Sequence, residues 1–212
     1  PLKATDFSSY IAPVLNSGAD VLVLNHYGGN MGNSLTNAVQ FGLRDKVVNN
    51  KNFEIIVPLY SRLMAKGAGA NVKGIFGSTN WHWSLQDEGS KAFVKSFGTK
   101  YGFPPSQAAH TVYCQTLLYA DACNRAGTFN PCGVGEALEG FEFDGLGNGK
   151  TLYRADDHQC FKDVLVVKGK ENPTSEFDLL EIVEVTPMEQ VKYAPDHPMF
   201  AGGDLGACNP GA

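Results

Sequence analysis

Apolar residues Phe7, Tyr10, Ile11, Val14 and Leu15 recur at the spacing of one helix face, with Asp6 placed to cap the helix and Gly18 to end it. Pro13 falls inside that pattern and predicts a kink, because proline lacks a backbone donor. The run Val21-Leu22-Val23-Leu24 reads as a buried strand. A loop holding Gly28, Gly29 and Gly32 follows, then a helix from about Asn33 to Phe41 closed by Gly42. Ile55-Ile56-Val57 is a second strand stopped by Pro58, Tyr60 to Lys66 a short helix closed by Gly67, and Gly74-Ile75-Phe76 a third strand. Strands alternating with helices imply a parallel sheet covered on both faces.

Beyond Asn80-Trp81-His82-Trp83 the texture changes. Residues 87–101 predict a helix with Phe93, Val94, Phe97 and Tyr101 on one side, broken by Gly102-Phe103-Pro104-Pro105. Residues 107–126 predict a long helix that is apolar on most sides, through Ala109, Val112, Tyr113, Leu117, Leu118 and Ala122. Such a helix is expected to be buried on several faces, yet no strand stands near it in sequence. A short helix through Val134 to Leu138 and strands at Thr151–Arg154, Val164–Val167 and about Leu179–Val185 come next. Residues 187–212, with Pro187, Pro195, Pro198 and Pro210, predict extended chain along a surface.

The chain of 212 residues is 43% apolar and 11% aromatic, enough to fill a core. Its formal charge of −5 argues against nucleic acid, whose phosphates require a basic face. No apolar run approaches membrane-spanning length, and residues 1–6 lack the charged start and apolar centre of a signal peptide. Pro1 in first place predicts a processed or cut chain.

Strand, glycine loop and helix at 21–41 form the setting in which nucleotides are bound, but the residues are wrong for it. A dinucleotide fingerprint needs Gly-x-Gly-x-x-Gly and an acid about twenty residues on. Here Tyr27 fills the place of the tight-turn glycine, and Asn49, Asn50, Lys51 and Asn52 stand where the acid belongs. A Walker loop needs a lysine, which Gly32-Asn33-Ser34 lacks. The loop still closes the carboxyl end of a strand, where open α/β sheets bind ligands, so His26 and Tyr27 are candidate contacts, with a purely structural turn as the rival.

The cysteines at 114, 123, 132, 160 and 208 form no Cys-x-x-Cys pair, which argues against a zinc or redox motif. Buried reduced thiols and disulfides of an exported protein both remain open. Asp156-Asp157-His158-Gln159 carries groups suited to metal or acid–base work. Adjacent residues on an extended segment point to opposite faces, so a hydrogen-bonded support is the better reading, with Arg154 pairing Asp156.

Several stretches, in order and spacing, resemble the type I periplasmic solute-binding proteins of branched-chain amino-acid-type ABC transporters. They are Asp6-Phe7-Ser8-Ser9-Tyr10-Ile11, Ala19-Asp20-Val21-Leu22-Val23, Ala38-Val39-Gln40-Phe41-Gly42-Leu43 and Lys91-Ala92-Phe93-Val94. Lys100-Tyr101-Gly102-Phe103-Pro104, Tyr113 with Ala120, Ala126-Gly127-Thr128 and Arg154-Ala155-Asp156-Asp157-His158-Gln159 extend the likeness to about residue 170. The resemblance implies an α/β fold of two lobes, each a parallel sheet flanked by helices, with the early first lobe missing from this chain. On that mapping residues 1–78 are most of the second lobe, 79–83 a hinge crossing and 84–160 the late part of the first lobe. Residues 161–167 are the crossing back, and 168–212 a second-lobe strand and extended tail. The sheet that helix 107–126 needs would come from a missing N-terminal segment or a companion chain.

The resemblance further implies a periplasmic receptor, not an enzyme, that captures a small molecule in an interlobe cleft and delivers it to a transporter permease. A ligand sensor of the same fold is the alternative. No cofactor or metal is implied. Tyr27 matches the position where the family's second lobe presents a tyrosine to the ligand, and Gly28 and Asn30 share its loop. Where amino-acid receptors carry an acid for the ligand's ammonium, this chain has Pro58-Leu59-Tyr60, which favours an organic acid or aromatic compound over a free amino acid. Trp81, Trp83 and His110 complete the implied ligand set, with Arg154, Asp156, His158 and Gln159 as supports near the last crossing. An exported protein with so little apolar content after Pro187 is expected to carry Cys160–Cys208 and Cys123–Cys132 disulfides and to leave Cys114 buried.

Overall fold

A computed structural model of the chain describes residues 4–198 and Cys208. Along the chain run helix α1 (Ser8–Leu15), strand β1 (Val21–Val23), α2 (Gly29–Gln40), β2 (Val47–Val48), β3 (Lys51–Asn52), β4 (Glu54–Val57), α3 (Arg62–Ala68) and β5 (Phe76–Thr79). There follow α4 (Glu88–Tyr101), α5 (Gln107–Ala126), α6 (Pro131–Leu138), β6 (Glu142–Phe143), β7 (Thr151–Tyr153), β8 (Cys160–Phe161), β9 (Val164–Gly169), β10 (Leu180–Thr186) and α7 (Met188–Val191). The chain divides into two compact units. Unit 1 holds the residues up to His82 with Leu165–Val185, and unit 2 holds Trp83–Val164 with the chain from Thr186 on.

Unit 1 is built on a five-stranded sheet in the order β1-β4-β5-β9-β10. β1, β4 and β5 are parallel, with Val23 opposite Ile56 and Val57 opposite Gly77. These three form the expected parallel sheet, and β9 joins it antiparallel to β5, Val167 facing Gly77. β1 is an edge strand with Val21 and Val23 exposed, so its apolar run is not the buried strand the pattern suggests. Met31, Leu35 and Ala38 form the fully buried face of α2, at helical spacing.

α2 starts four residues before the predicted position, inside the glycine run. Gly28 takes φ 58°, and its carbonyl accepts from Met31 N at 3.2 Å. Gly32 then belongs to the helix, where a Cβ would meet the Gly67 backbone at 3.4 Å. Its smallness serves the packing of α2 on α3. α3 in turn begins after Ser61, whose hydroxyl accepts from Met64 N, two residues later than the apolar pattern suggests. The β2–β3 hairpin, absent from the pattern, turns on Asn49 and Asn50 at positive φ.

Unit 2 carries α4, α5 and α6 and a small antiparallel sheet β6-β7-β8. Side chains of Asp87, Ser106 and Asn130 cap the three helices by accepting from Ser90 N, Ala109 N and Cys132 N. Phe93 stacks on Tyr113 at 4.6 Å between ring centroids, and Ala122, Cys123 and Val134 form the contact of α5 with α6. α5 is not buried on several faces. It buries His110, Cys114, Leu118, Ala122 and Cys123, while Val112 (66% exposed), Tyr113, Leu117 and Tyr119 remain open. The described chain supplies no sheet to that second face.

Two expected disulfides are corrected by one observed bond, Cys132–Cys208, with Cα atoms 5.6 Å apart. Cys123 is buried against Val134 and faces the core. Cys132 stands two residues before Val134 on α6, which places it about 200° around the helix from that core contact. Cys123 and Cys132 therefore face apart, and Cys132 takes Cys208. Cys160, on β8, is left as an exposed thiol, and Cys114 is buried as expected. The rest of the tail beyond residue 198 lies outside the described residues.

Candidate functional site

The three parallel strands of unit 1 end at one edge, and their following residues supply its chemistry. β1 leads through Leu24, whose N–H donates to Ile56 O at 2.8 Å, into His26, Tyr27 and Gly28. β4 leads into Pro58, Leu59 and Tyr60, held down by Tyr60 N donating to Ser78 O at 2.8 Å and by Ser78 Oγ donating to Pro58 O. β5 leads into Asn80, Trp81 and His82, where Thr79 Oγ1 donates to Trp81 O at 3.2 Å.

The structure thus brings six predicted residues, Tyr27, Gly28, Asn30, Leu59, Tyr60 and Trp81, to the segments following these strand ends. Tyr27 is 61% exposed and Leu59 57% exposed, so both offer contact surface. Tyr60 and Trp81 are buried. None of residues 24–30, 58–61 or 80–82 is acidic.

The other two predicted contacts belong to unit 2. Trp83 is half-buried. His110 is core: its Nε2 lies 2.6 Å from Leu146 O, its ring meets Phe93 edge-on at 5.5 Å, and Cys114 Sγ lies 3.3 Å away. Burial pushes its pKa down to about 4, against the pull of the Leu146 carbonyl.

The 154–159 segment is a turn rather than extended chain, with His158 at φ 54°. Arg154 pairs with Asp157, not Asp156, through Nε–Oδ1 at 2.9 Å and Nη2–Oδ2 at 2.5 Å. The turn brings residue i+3 back over residue i and leaves Asp156 exposed. The Arg154 hydrogen bonds hold the Asp157 carboxyl below its ordinary range. Arg154 N donates to Gln159 O at 2.9 Å, and His158 Nε2 lies 2.9 Å from Glu139 Oε1. This is a support within unit 2.

The sequence reading missed a charged cluster in unit 1. Lys170 Nζ donates to Asp178 Oδ1 at 2.5 Å, and Asp178 also accepts from Thr174 Oγ1 at 2.7 Å. His82, buried next to this pair, has its pKa pushed down to about 4, chiefly by burial and then by Lys170. No periodic signal marks it, since Lys170 and Asp178 meet only through the loop joining β9 to β10. A separate recess of about 350 Å³ lies at the opposite end of β4, among Arg44, Asp45, Glu54, Lys73 and Glu171. Lys73 and Glu171 already pair there at 2.8 Å, and it holds none of the predicted contacts. Among the described residues no three His, Cys, Asp or Glu side chains converge as metal ligands would, and no helix is long and apolar enough to cross a membrane.

Residues 1–174 match the sequence profile of the family described as periplasmic binding protein. Comparison with curated proteins finds no match. Among solved structures, a periplasmic binding protein from Burkholderia mallei is similar at a TM-score of 0.77 and 24% identity, covering 91% of this chain and 50% of that one. A branched-chain amino acid ABC transporter periplasmic ligand-binding protein from Burkholderia xenovorans LB400 gives 0.72 and 26%, covering 90% and 50%. An ABC transporter solute-binding protein from Rhodopseudomonas palustris HaA2, in complex with p-hydroxybenzoic acid, gives 0.73 and 16%, covering 89% and 50%. The chain spans about half the length of the solved structures it matches.

Proposed function

The chain belongs to the periplasmic binding protein family, and from that membership we propose that it is part of an extracytoplasmic receptor that captures a small organic molecule and delivers it to an ABC transporter permease. The observation that carries the ligand class is the edge of unit 1: exposed Tyr27 and Leu59, with no carboxylate in any of its three segments. An ammonium group there would lose water and gain no counter-charge, which is costly. An apolar or planar body with one polar end suits the edge better, as in a small aromatic acid. p-Hydroxybenzoic acid, bound by the Rhodopseudomonas palustris HaA2 protein, is a small aromatic acid that carries a hydroxyl at its other end. The reading involves binding and release, with no chemical step.

In this reading residues 1–78 are most of the second lobe and 84–160 the late part of the first, joined by crossings at 79–83 and 161–167. The open apolar stripe of α5 supports the assignment, because it is the kind of surface a further sheet would cover. That sheet would come from preceding residues or a companion chain.

Calorimetry on the complete receptor against leucine, benzoate and choline tests the ligand class. Benzoate should bind and leucine should not. Tyr27→Ala should weaken binding by about 1–3 kcal/mol through lost stacking and a lost hydrogen bond. Leu59→Glu should repel the acid and leave a cation unharmed. Tight leucine binding with Leu59 in the site would sink the proposal.

A further inference from the structure

β1 and β4 are hydrogen-bonded neighbours, and Tyr60 lies three residues beyond β4 on the edge described above. Tyr60 is fixed there. Its N–H is tied to Ser78 O, and its ring lies against Gly77, where a Cβ would stand 2.6 Å from Tyr60 Cδ1. The residue is 1% exposed, and its hydroxyl has no hydrogen-bond partner among the described residues. The same holds for the buried Nδ1 of His26. A buried polar atom without a partner is costly, and native proteins rarely keep one without a use. For the fold alone, phenylalanine at 60 would serve better.

Taking the receptor reading above as its basis, we propose that the Tyr60 hydroxyl is a ligand subsite that takes a neutral polar substituent, such as a hydroxyl or carbonyl, remote from the ligand's carboxylate. Burial raises the Tyr60 pKa far above that of a free phenol, with no charged group contributing, so the hydroxyl stays protonated in apolar surroundings. An ionised carboxylate placed there would lie buried without a counter-charge. A neutral acceptor or hydroxyl would satisfy the orphaned atom at no such cost. The acid therefore enters with its neutral end inward, and the closed surroundings of the hydroxyl keep water from competing.

The test is calorimetry of the complete receptor and its Tyr60→Phe variant with 4-hydroxybenzoate, benzoate and phenol, together with urea unfolding of both proteins without ligand. Tyr60→Phe should bind 4-hydroxybenzoate about tenfold more weakly, bind benzoate as before and unfold at an equal or higher urea midpoint. Equal weakening for both acids, or a lower midpoint, overturns the subsite, because the hydroxyl would then serve the fold. If phenol alone of the three binds, and binds more tightly to the parent, the subsite stands and the acid reading fails. If no probe binds more tightly to the parent than to Tyr60→Phe, the subsite is refuted.

Discussion

Acidification should weaken unit 1 through His82. The imidazole is buried, and its pKa is pushed from 6.5 to about 4, first by burial, then by Lys170, with Asp178 opposing and Arg62 adding a little. A histidine with a depressed folded-state pKa contributes stability that is complete above pH 6.5 and is lost as pH falls through 6.5 toward 4, because only the unfolded chain takes up the proton. The gap between 6.5 and 4, at about 1.4 kcal/mol per pH unit, amounts to about 3 kcal/mol, of which about 2 kcal/mol is gone by pH 5. Urea unfolding followed by the fluorescence of buried Trp81, next to His82 in the chain, reads this loss directly. His110 adds a similar dependence in unit 2, so the discriminating comparison is with His82→Gln. That variant starts less stable but should lose about 2 kcal/mol less than the parent between about pH 7.5 and pH 5. Equal losses in parent and variant would show that His82 does not titrate in this window.

Three further outcomes are expected. Gly77→Ala drives a Cβ into the Val57 carbonyl oxygen and the Tyr60 ring, and should cost about 1–3 kcal/mol or more in urea unfolding; a neutral result would mean that β5 is free to shift. Cys132→Ser opens a link between residues 76 apart in sequence and should lower stability by up to about 4 kcal/mol, while non-reducing peptide mapping of the parent should recover a 132–208 pair and no 160–208 pair. Leu117→Glu, on the open face of α5, should change this chain by no more than about 0.5 kcal/mol yet clearly destabilise the complete receptor, and equal small effects in both would refute a covering sheet.

What the sequence determined by itself was local. Apolar spacing placed the helices 88–101 and 107–126 almost to the residue, because a helix face is written every three or four positions and its ends are written in side chains such as Asp87, Ser106 and Gly127. The strand ends carrying Tyr27 and Leu59 were legible because the glycine run and Pro58 stop the strands in sequence, whereas the strand before Trp81, expected at 74–76, runs over Phe76–Thr79. The family was legible too, through the order and spacing of short stretches. Tertiary structure decided which remote groups meet. Gly32 looked like a loop residue until α3 came against it at Gly67. Cys208 had several cysteines to choose from, and the facing of α6 gave it Cys132 while Cys123 turned inward. β9 ran antiparallel to β5, a choice that leaves no mark in a short apolar strand. Lys170 and Asp178 became partners through the loop between β9 and β10, and Tyr60 lost water from its hydroxyl where β4 and β5, distant in sequence, end side by side. Patterns with a short repeat are encoded within one or two turns of chain, whereas pairings between distant segments depend on sheet order and on which face each element turns inward.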